Sequence, residues 1–358
     1  GAMESSSTCS LKEALDRLQS ESAASNSQGL DGLREWLHDP RNCQRADGDA
    51  DIYPTIVRVL IYFMRRQVEL LVKAGGKKFT FRAEGATCLL QTVRAAARAG
   101  RRSGPPRLAK VQRKILEHVE GVLRCEPVAA RQPAVLPYYC RVVRVLAEGS
   151  RLGYLSDLRG ELLRRLVRTL LAVPSSDAQS AALEAVAYLF RCADGDPSAE
   201  VAWTCSRVVA IMQGQMRTSE HASACLAAVA MRCPFAYRDW LLVDGNADAL
   251  AGAAVPAWSP KTIESIDLVL RLALGFAAPI PLPKASDIMP LVVDTLDTLA
   301  RAEGLEPSAG APVGTASRLP RLARVADLLA ALVMHTESSP DSAARRLCAQ
   351  LELRPLPR

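Results

Sequence analysis

The sequence predicts an all-α protein arranged as a HEAT/armadillo-like α-α superhelix, and three observations point that way. Apolar residues recur at helical spacing along nearly the whole chain, helix stops punctuate them, and helix pairs return about every 45 to 50 residues. The composition agrees. Of 358 residues, 49% are hydrophobic, 23% charged and only 5% aromatic, with Leu, Ala, Val and Arg dominant. Straight-chain residues and Ala lose little freedom in a helix, whereas strands draw more on Thr, Tyr and Phe.

Along the chain, residues 1–9 read as a cleavage scar, Gly1-Ala2-Met3, and a disordered start. A solenoid body is expected over 10–303, with helices near 10–20, 27–38, 50–74, 80–99, 106–125, 132–148, 156–173, 176–193, 197–215, 218–232, 235–252, 260–277 and 285–303. The stretch 111–123 shows the pattern: Val111, Ile115, Leu116, Val119, Val122 and Leu123 form one stripe, and Lys114, Glu117 and Glu120 form its charged back. Leu162, Leu163, Leu166, Val167, Leu170 and Leu171 repeat it with Arg164, Arg165 and Arg168 interleaved. Pro174-Ser175-Ser176-Asp177, Gly195-Asp196-Pro197, Thr218-Ser219-Glu220 and Ser259-Pro260 supply stops and caps.

Residues 39–50 read as a polar, loop-like insert, and 304–317, rich in Gly, Pro, Ala and Ser, as a flexible linker. A terminal helix pair, near 318–335 and 340–352, is expected within 318–358. The last residues, Leu353 to Arg358, supply no obvious capping helix, which suggests a piece of a longer solenoid. Lys78-Phe79-Thr80-Phe81-Arg82 is the one strand-like alternation, and an isolated strand cannot form a sheet, so it reads as a loop entering a helix. A compact bundle is the competing architecture. It would have to gather about fifteen helices around one centre, which strains the size of a single core.

No basic stretch followed by an apolar core and a cleavage site opens the chain, and the longest uncharged apolar stretches fall short of a membrane span. A soluble protein is expected. The ten cysteines are scattered, with no pair at two-residue spacing, and read as buried free thiols of a reducing compartment rather than as a disulfide or zinc framework.

No catalytic constellation emerges. Gly75-Gly76-Lys77-Lys78 lacks the first glycine, the Ser/Thr and the strand of a phosphate loop, and the protein-kinase motif set is missing. His38, His118, His221 and His335 have no second histidine three or four residues away. Cys225 follows His221 on one helix face, with Cys233 two turns on, and core packing is the favoured reading of the three. Asp194/Asp196 and Asp294/Asp297 read as caps and surface acids. Neither cofactor nor metal is expected.

Charge is more informative. Residues 1–174 carry 29 Lys and Arg against 18 Asp and Glu, whereas residues 175–358 carry 16 against 20. Between 73 and 114, twelve cations face Glu84 alone. Arg94, Arg98 and Arg101 fall at helical spacing, and with Arg102, Arg107, Lys110, Arg113 and Lys114 they make a candidate basic ridge. Such a ridge could meet double-stranded DNA through its phosphates, an acidic protein or another part of a larger protein, or water alone. Aromatic interleaving for base stacking is weak, which disfavours single strands.

Residues 10–125 resemble the extreme N terminus of the ATM-type checkpoint kinases, a branch of the PI3-kinase-related family. That family opens with a helical motif of Leu, a base, Glu-Arg, Leu and Leu. Here Leu18, Leu30 and Leu33 match its apolar frame, while Ser22 stands at the base and Ser25-Asn26 at the Glu-Arg pair. Trp36-Leu37-His38-Asp39-Pro40, the long helix from Ile56 to Val72, the basic-ended stretch Ala86 to Arg102, and Pro106-Arg107-Leu108 before the next helix follow in the family's order. The resemblance implies a HEAT solenoid of a nuclear Ser/Thr protein kinase whose catalytic domain lies downstream, outside this chain. It also implies docking to nibrin of the MRN break-sensing complex and a part in telomere maintenance. A free-standing HEAT or armadillo adaptor is the alternative, and an all-helical enzyme the least favoured.

Overall fold

The computed structural model describes residues 10–75, 81–103, 108–149, 156–172, 175–192, 196–214 and 219–257, together with positions 262, 266, 269 and 293. Among the described residues every regular element is a helix, so the protein is all-α. Apart from those four positions, the helices expected near 260–277, 285–303, 318–335 and 340–352, the linker 304–317 and the greater part of the strand-like stretch 78–82 lie outside the described residues. The chain divides into two compact units at Gly195/Asp196, a boundary at which the sequence shows only a helix stop.

The first unit holds α1 (Leu11–Gln19), α2 (Ala23–His38), α3 (Pro40–Gly48), α4 (Ile52–Lys73), α5 (Glu84–Ser103), α6 (Gln112–Arg124), α7 (Glu126–Arg131), α8 (Leu136–Gly149), α9 (Ser156–Ala172) and α10 (Ser176–Cys192). Their packing follows one rule. Each helix of the pairs α1/α2, α4/α5, α6/α8 and α9/α10 packs on its partner and on the corresponding helix of the next pair. Two rows result: α1, α4, α6 and α9 in the first, and α2, α5, α8 and α10 in the second. Short α7 and a 3-10 turn over Pro133–Val135 carry the chain from α6 to α8, with α7 lying against α4.

The apolar stripes make this arrangement possible. Ile56, Val57, Leu60, Phe63 and Met64 of α4 are buried, as are Leu89, Leu90, Val93 and Ala96 of α5 and Ile115, Leu116, Val119 and Val122 of α6. Burial of each of these side chains larger than alanine favours the fold by about 1.5–3 kcal/mol. Arginines stitch successive pairs at their ends. Arg66 donates to the Ser20 carbonyl (3.2 Å), and Arg82 donates to Ser27 Oγ and the Ala23 carbonyl (both 3.0 Å).

Leu18, Leu30 and Leu33 are buried in the α1–α2 hairpin, and the polar residues between them line its turn. Ser22 caps α2 by accepting from the Ser25 amide (3.4 Å), and Ser25 Oγ donates to the Arg17 carbonyl (3.4 Å). With its amide nitrogen turned inward, Asn26 donates to the carbonyls of Ser20 (3.1 Å) and Arg17 (2.9 Å). Carbonyls at the end of α1, which have no partner within the helix, are satisfied in this way.

Within residues 39–50, expected to be a loop, Pro40–Gly48 form the helix α3 instead. Asp39 caps it by accepting from the Arg41 amide (2.8 Å), Pro40 occupies a first-turn position, and Ala46 anchors it in the core.

In the second unit α11 (Ser198–Gly214) packs against α12 (Ser219–Arg232), α13 (Pro234–Leu241) and α14 (Asn246–Ala257). The single helix expected over 235–252 is broken in two. Gly245 takes φ 84°, a conformation that favours glycine, and Asn246 donates to the Trp240 carbonyl (2.8 Å) to fix the turn. Trp240 Nε1 donates to Ser206 Oγ (2.9 Å), tying α13 to α11.

Candidate functional site

The helical spacing of Arg94, Arg98 and Arg101 puts them on one side of α5, away from buried Val93, Ala96 and Ala99. On α8, Arg141, Arg144 and Glu148 stand apart from buried Val142, Val143 and Leu146 in the same way. Because α5 and α8 are neighbours in the second row, these side chains meet. Arg94, Arg98, Arg101, Arg141, Arg144, Val145 and Glu148 line an open recess of about 240 Å³.

The recess is only partly neutralised. Arg101 lies 3.7 Å from Glu148, while Arg141 and Arg144 turn back to Asp177 and Glu184 on α10. Burial works against the charge on Arg144, but Glu184 and Tyr188 outweigh it, so its pKa is raised and the cation is held more firmly. Its guanidinium lies 5.1 Å from the centroid of the Tyr188 ring, and that of Arg191 5.7 Å, so the ring helps hold two arginines in place. Arg94 and Arg98 are exposed and have no ion-pair partner among the described residues.

A second recess of about 480 Å³ adjoins the first and shares Arg98 with it. Leu37, His38, Pro40, Cys43, Gln44, Asp47, Tyr53 and Ala95 complete its lining, so α3 forms much of one wall. Tyr53 donates to Asp47 Oδ1 (3.0 Å), and the Cys43 thiol donates to the Leu37 carbonyl (3.4 Å). Burial first, then Asp47, raises the Cys43 pKa, with Arg98 opposing and Asp39 reinforcing the rise. A thiol held protonated is a poor nucleophile.

The predicted ridge therefore separates in two. Arg94, Arg98 and Arg101 join Arg141 and Arg144, which sequence spacing alone does not link to them. Lys110, on the turn before α6, pairs with Asp51 (3.3 Å), and Arg113, on α6, pairs with Glu117 (3.0 Å). Lys114 is on α6 as well, in the other row. Arg107 and the side chain of Arg102 lie outside the described residues.

Several thiols lie in the core, away from the recess. Burial pushes the Cys88 and Cys140 thiols up to about 12. In the second unit, burial and then Cys225 and Cys233 raise Cys205, so these three thiols share one core. The eight described cysteines form no disulfide with one another, five of them are buried, and no group of three or more metal-binding side chains occurs among the described residues. No described helix is long and apolar enough to cross a membrane. Guanidiniums stay charged at any working pH, so the five arginines offer fixed positive charge and directed donors. Such an arrangement can hold an anion. Comparison with protein-family models, curated proteins and solved structures returns no match to this chain.

Proposed function

We propose that this chain is a docking scaffold, a HEAT-like stack of helical hairpins whose second row presents an arginine-lined face to a partner macromolecule. The convergence of Arg94, Arg98, Arg101, Arg141 and Arg144 on one recess, with Glu148 as the sole acidic lining residue among those described, carries this reading. A stack of hairpins leaves each row open along its length, which suits an extended peptide or helix. The two-row packing of α1 to α10 supports the HEAT-like form.

In its specific form, the chain is the docking arm of an ATM-like Ser/Thr kinase in the nucleus, where it binds nibrin at double-strand breaks and telomeres. Burial of Leu18, Leu30 and Leu33 in the first hairpin is consistent with the motif frame, as is the succession of long α4 and basic-ended α5. The test is direct capture of the purified chain on immobilised nibrin. We expect retention that weakens in R94E/R98E. Absence of retention at low salt would remove the kinase form and leave a free-standing HEAT or armadillo adaptor.

Duplex DNA is the second ligand to test, because the first 174 residues carry the excess of cations. Reversing Arg101, Arg102 and Arg107 to Glu should weaken duplex binding and flatten its salt dependence, the log–log slope falling by about one for each phosphate no longer neutralised. Unchanged affinity at low salt would strike DNA from the direct ligands.

A further inference from the structure

We infer that the recess between α5 and α8 binds a phosphate monoester dianion, carried on a phosphorylated serine or threonine of a partner protein. The inference rests on the docking reading and names the chemistry its face recognises. Among the described residues, every cation lining the recess is arginine, with no lysine among them. A guanidinium presents a planar fork of donors that matches two phosphate oxygens at once, whereas an ammonium is a point charge.

The charges inside the recess also favour a dianion. Arg141 and Arg144 each have a carboxylate behind them on α10, and Arg101 has Glu148 at 3.7 Å, too long for a good hydrogen bond. Arg94 and Arg98, one helical turn apart, have no such partner among the described residues. They are therefore the primary clamp, and Arg101 is the group a ligand can recruit from its loose pair. A dianion placed between them gains two forked contacts, whereas a carboxylate brings half the charge.

Size and shape discriminate as well. A recess of about 240 Å³ takes a phosphorylated side chain, while a DNA duplex is far too wide to enter it and would touch only the rim. The neighbouring recess, of about 480 Å³, begins at the shared Arg98 and has Leu37, Pro40 and Ala95 beside polar Gln44 and Asp47. It offers room for residues flanking the phosphate, which a free inorganic anion would leave empty. Glu148 occupies the ligand's electrostatic place within the chain, so its removal should help binding.

The experiment uses the full chain and a fluorescent pool of short degenerate peptides centred on phosphoserine. Its controls are the same pool after phosphatase treatment, a pool with Glu at the central position, inorganic phosphate as competitor and a short DNA duplex. We expect the phosphorylated pool to bind about tenfold or more tightly than either unphosphorylated pool, and inorganic phosphate to compete only weakly. R94E/R98E should abolish the difference, and R94K/R98K should lose most of it because charge remains but the fork is gone. E148Q should tighten binding several-fold. Both arginines are exposed, so an unchanged melting temperature checks that the variants fold.

Equal binding of the phosphorylated and unphosphorylated pools would overturn the proposal, as would full affinity in R94K/R98K. Inorganic phosphate binding as tightly as the peptide would also overturn it, and so would a duplex that binds more tightly and depends on the same arginines. Failure here remains separable from failure of the docking reading. If nibrin capture survives phosphatase treatment of the partner and the peptide pools bind equally, the scaffold stands and the phosphate site falls, whereas absent nibrin capture beside phosphate-selective peptide binding removes the kinase form and leaves the site.

Discussion

Lowering the pH from neutrality to about 4 should cost the first unit about 3 kcal/mol of stability through His118 alone. His118 sits on α6 and is only 4% exposed, with Tyr139 of α8 edge-on to it at a centroid distance of 5.6 Å. The Tyr139 hydroxyl and His118 Nε2 are 3.4 Å apart, inside the core where α6 and α8 pair. Burial lowers the histidine pKa to about 4 from an ordinary 6.5, and the like charge of Arg65 adds to the effect. The folded protein therefore binds fewer protons than the unfolded chain between those two values. The stabilisation is complete above pH 6.5 and is lost progressively as the pH falls through 4. Denaturant titrations of the wild type and of His118→Gln, each at pH 7 and 4.5, isolate the residue from other acid effects. The stability gap between the two chains should close at the lower pH, and hydrogen exchange should show α6 and α8 losing protection first. Parallel pH profiles for the two chains would show that the ring is not buried in its neutral form.

The same hairpin, α6 with α8, shows what could be read from the residues. The stripe from Val111 to Leu123 specified α6 and its inward face, because burying six apolar side chains on one side outweighs any local preference. Leu18, Leu30 and Leu33 were legible for the same reason. The helix α3 was not. Arg41, Asn42, Gln44 and Arg45 mask its period, and Ala46 is its one fully buried residue. The Asp39-Pro40 cap was the signal that could have found it. Likewise, the apolar pattern from 235 to 252 runs through Gly245, and only the positive φ there makes it two helices. The arginine recess was half legible. Helical spacing grouped Arg94, Arg98 and Arg101, but Arg141 and Arg144 join them only because α5 and α8 become neighbours. Local periodicity shows which way a side chain faces and leaves open which helix it will meet.

Replacing Gly29 with alanine should destabilise the first unit by about 2 kcal/mol, even though alanine is the better helix former. A glycine inside a helix costs about 0.5–1 kcal/mol relative to alanine, so a free position would gain from the exchange. Gly29 is not free. A Cβ there would lie 2.9 Å from the Ala14 carbonyl oxygen, 3.1 Å from Arg17 Cβ and 3.1 Å from Leu18 Cγ, where α2 crosses α1. Two of those neighbours belong to or sit beside the α1 backbone, so relief requires moving the helix and not merely turning a side chain. Overpacking of this kind costs about 1–3 kcal/mol and exceeds the gain in propensity. It would also displace Leu18 from Leu30 and Leu33 and pull the Ser20 and Arg17 carbonyls away from Asn26. Gly121, inside α6, supplies the opposite case, because a Cβ there meets nothing within 4 Å. Gly121→Ala should therefore stabilise by about 0.5–1 kcal/mol. Thermal and urea unfolding of the two variants should move in opposite directions from the wild type. A shift of the same sign in both would mean that α1 and α2 are not held at the close approach from which the first hairpin is built.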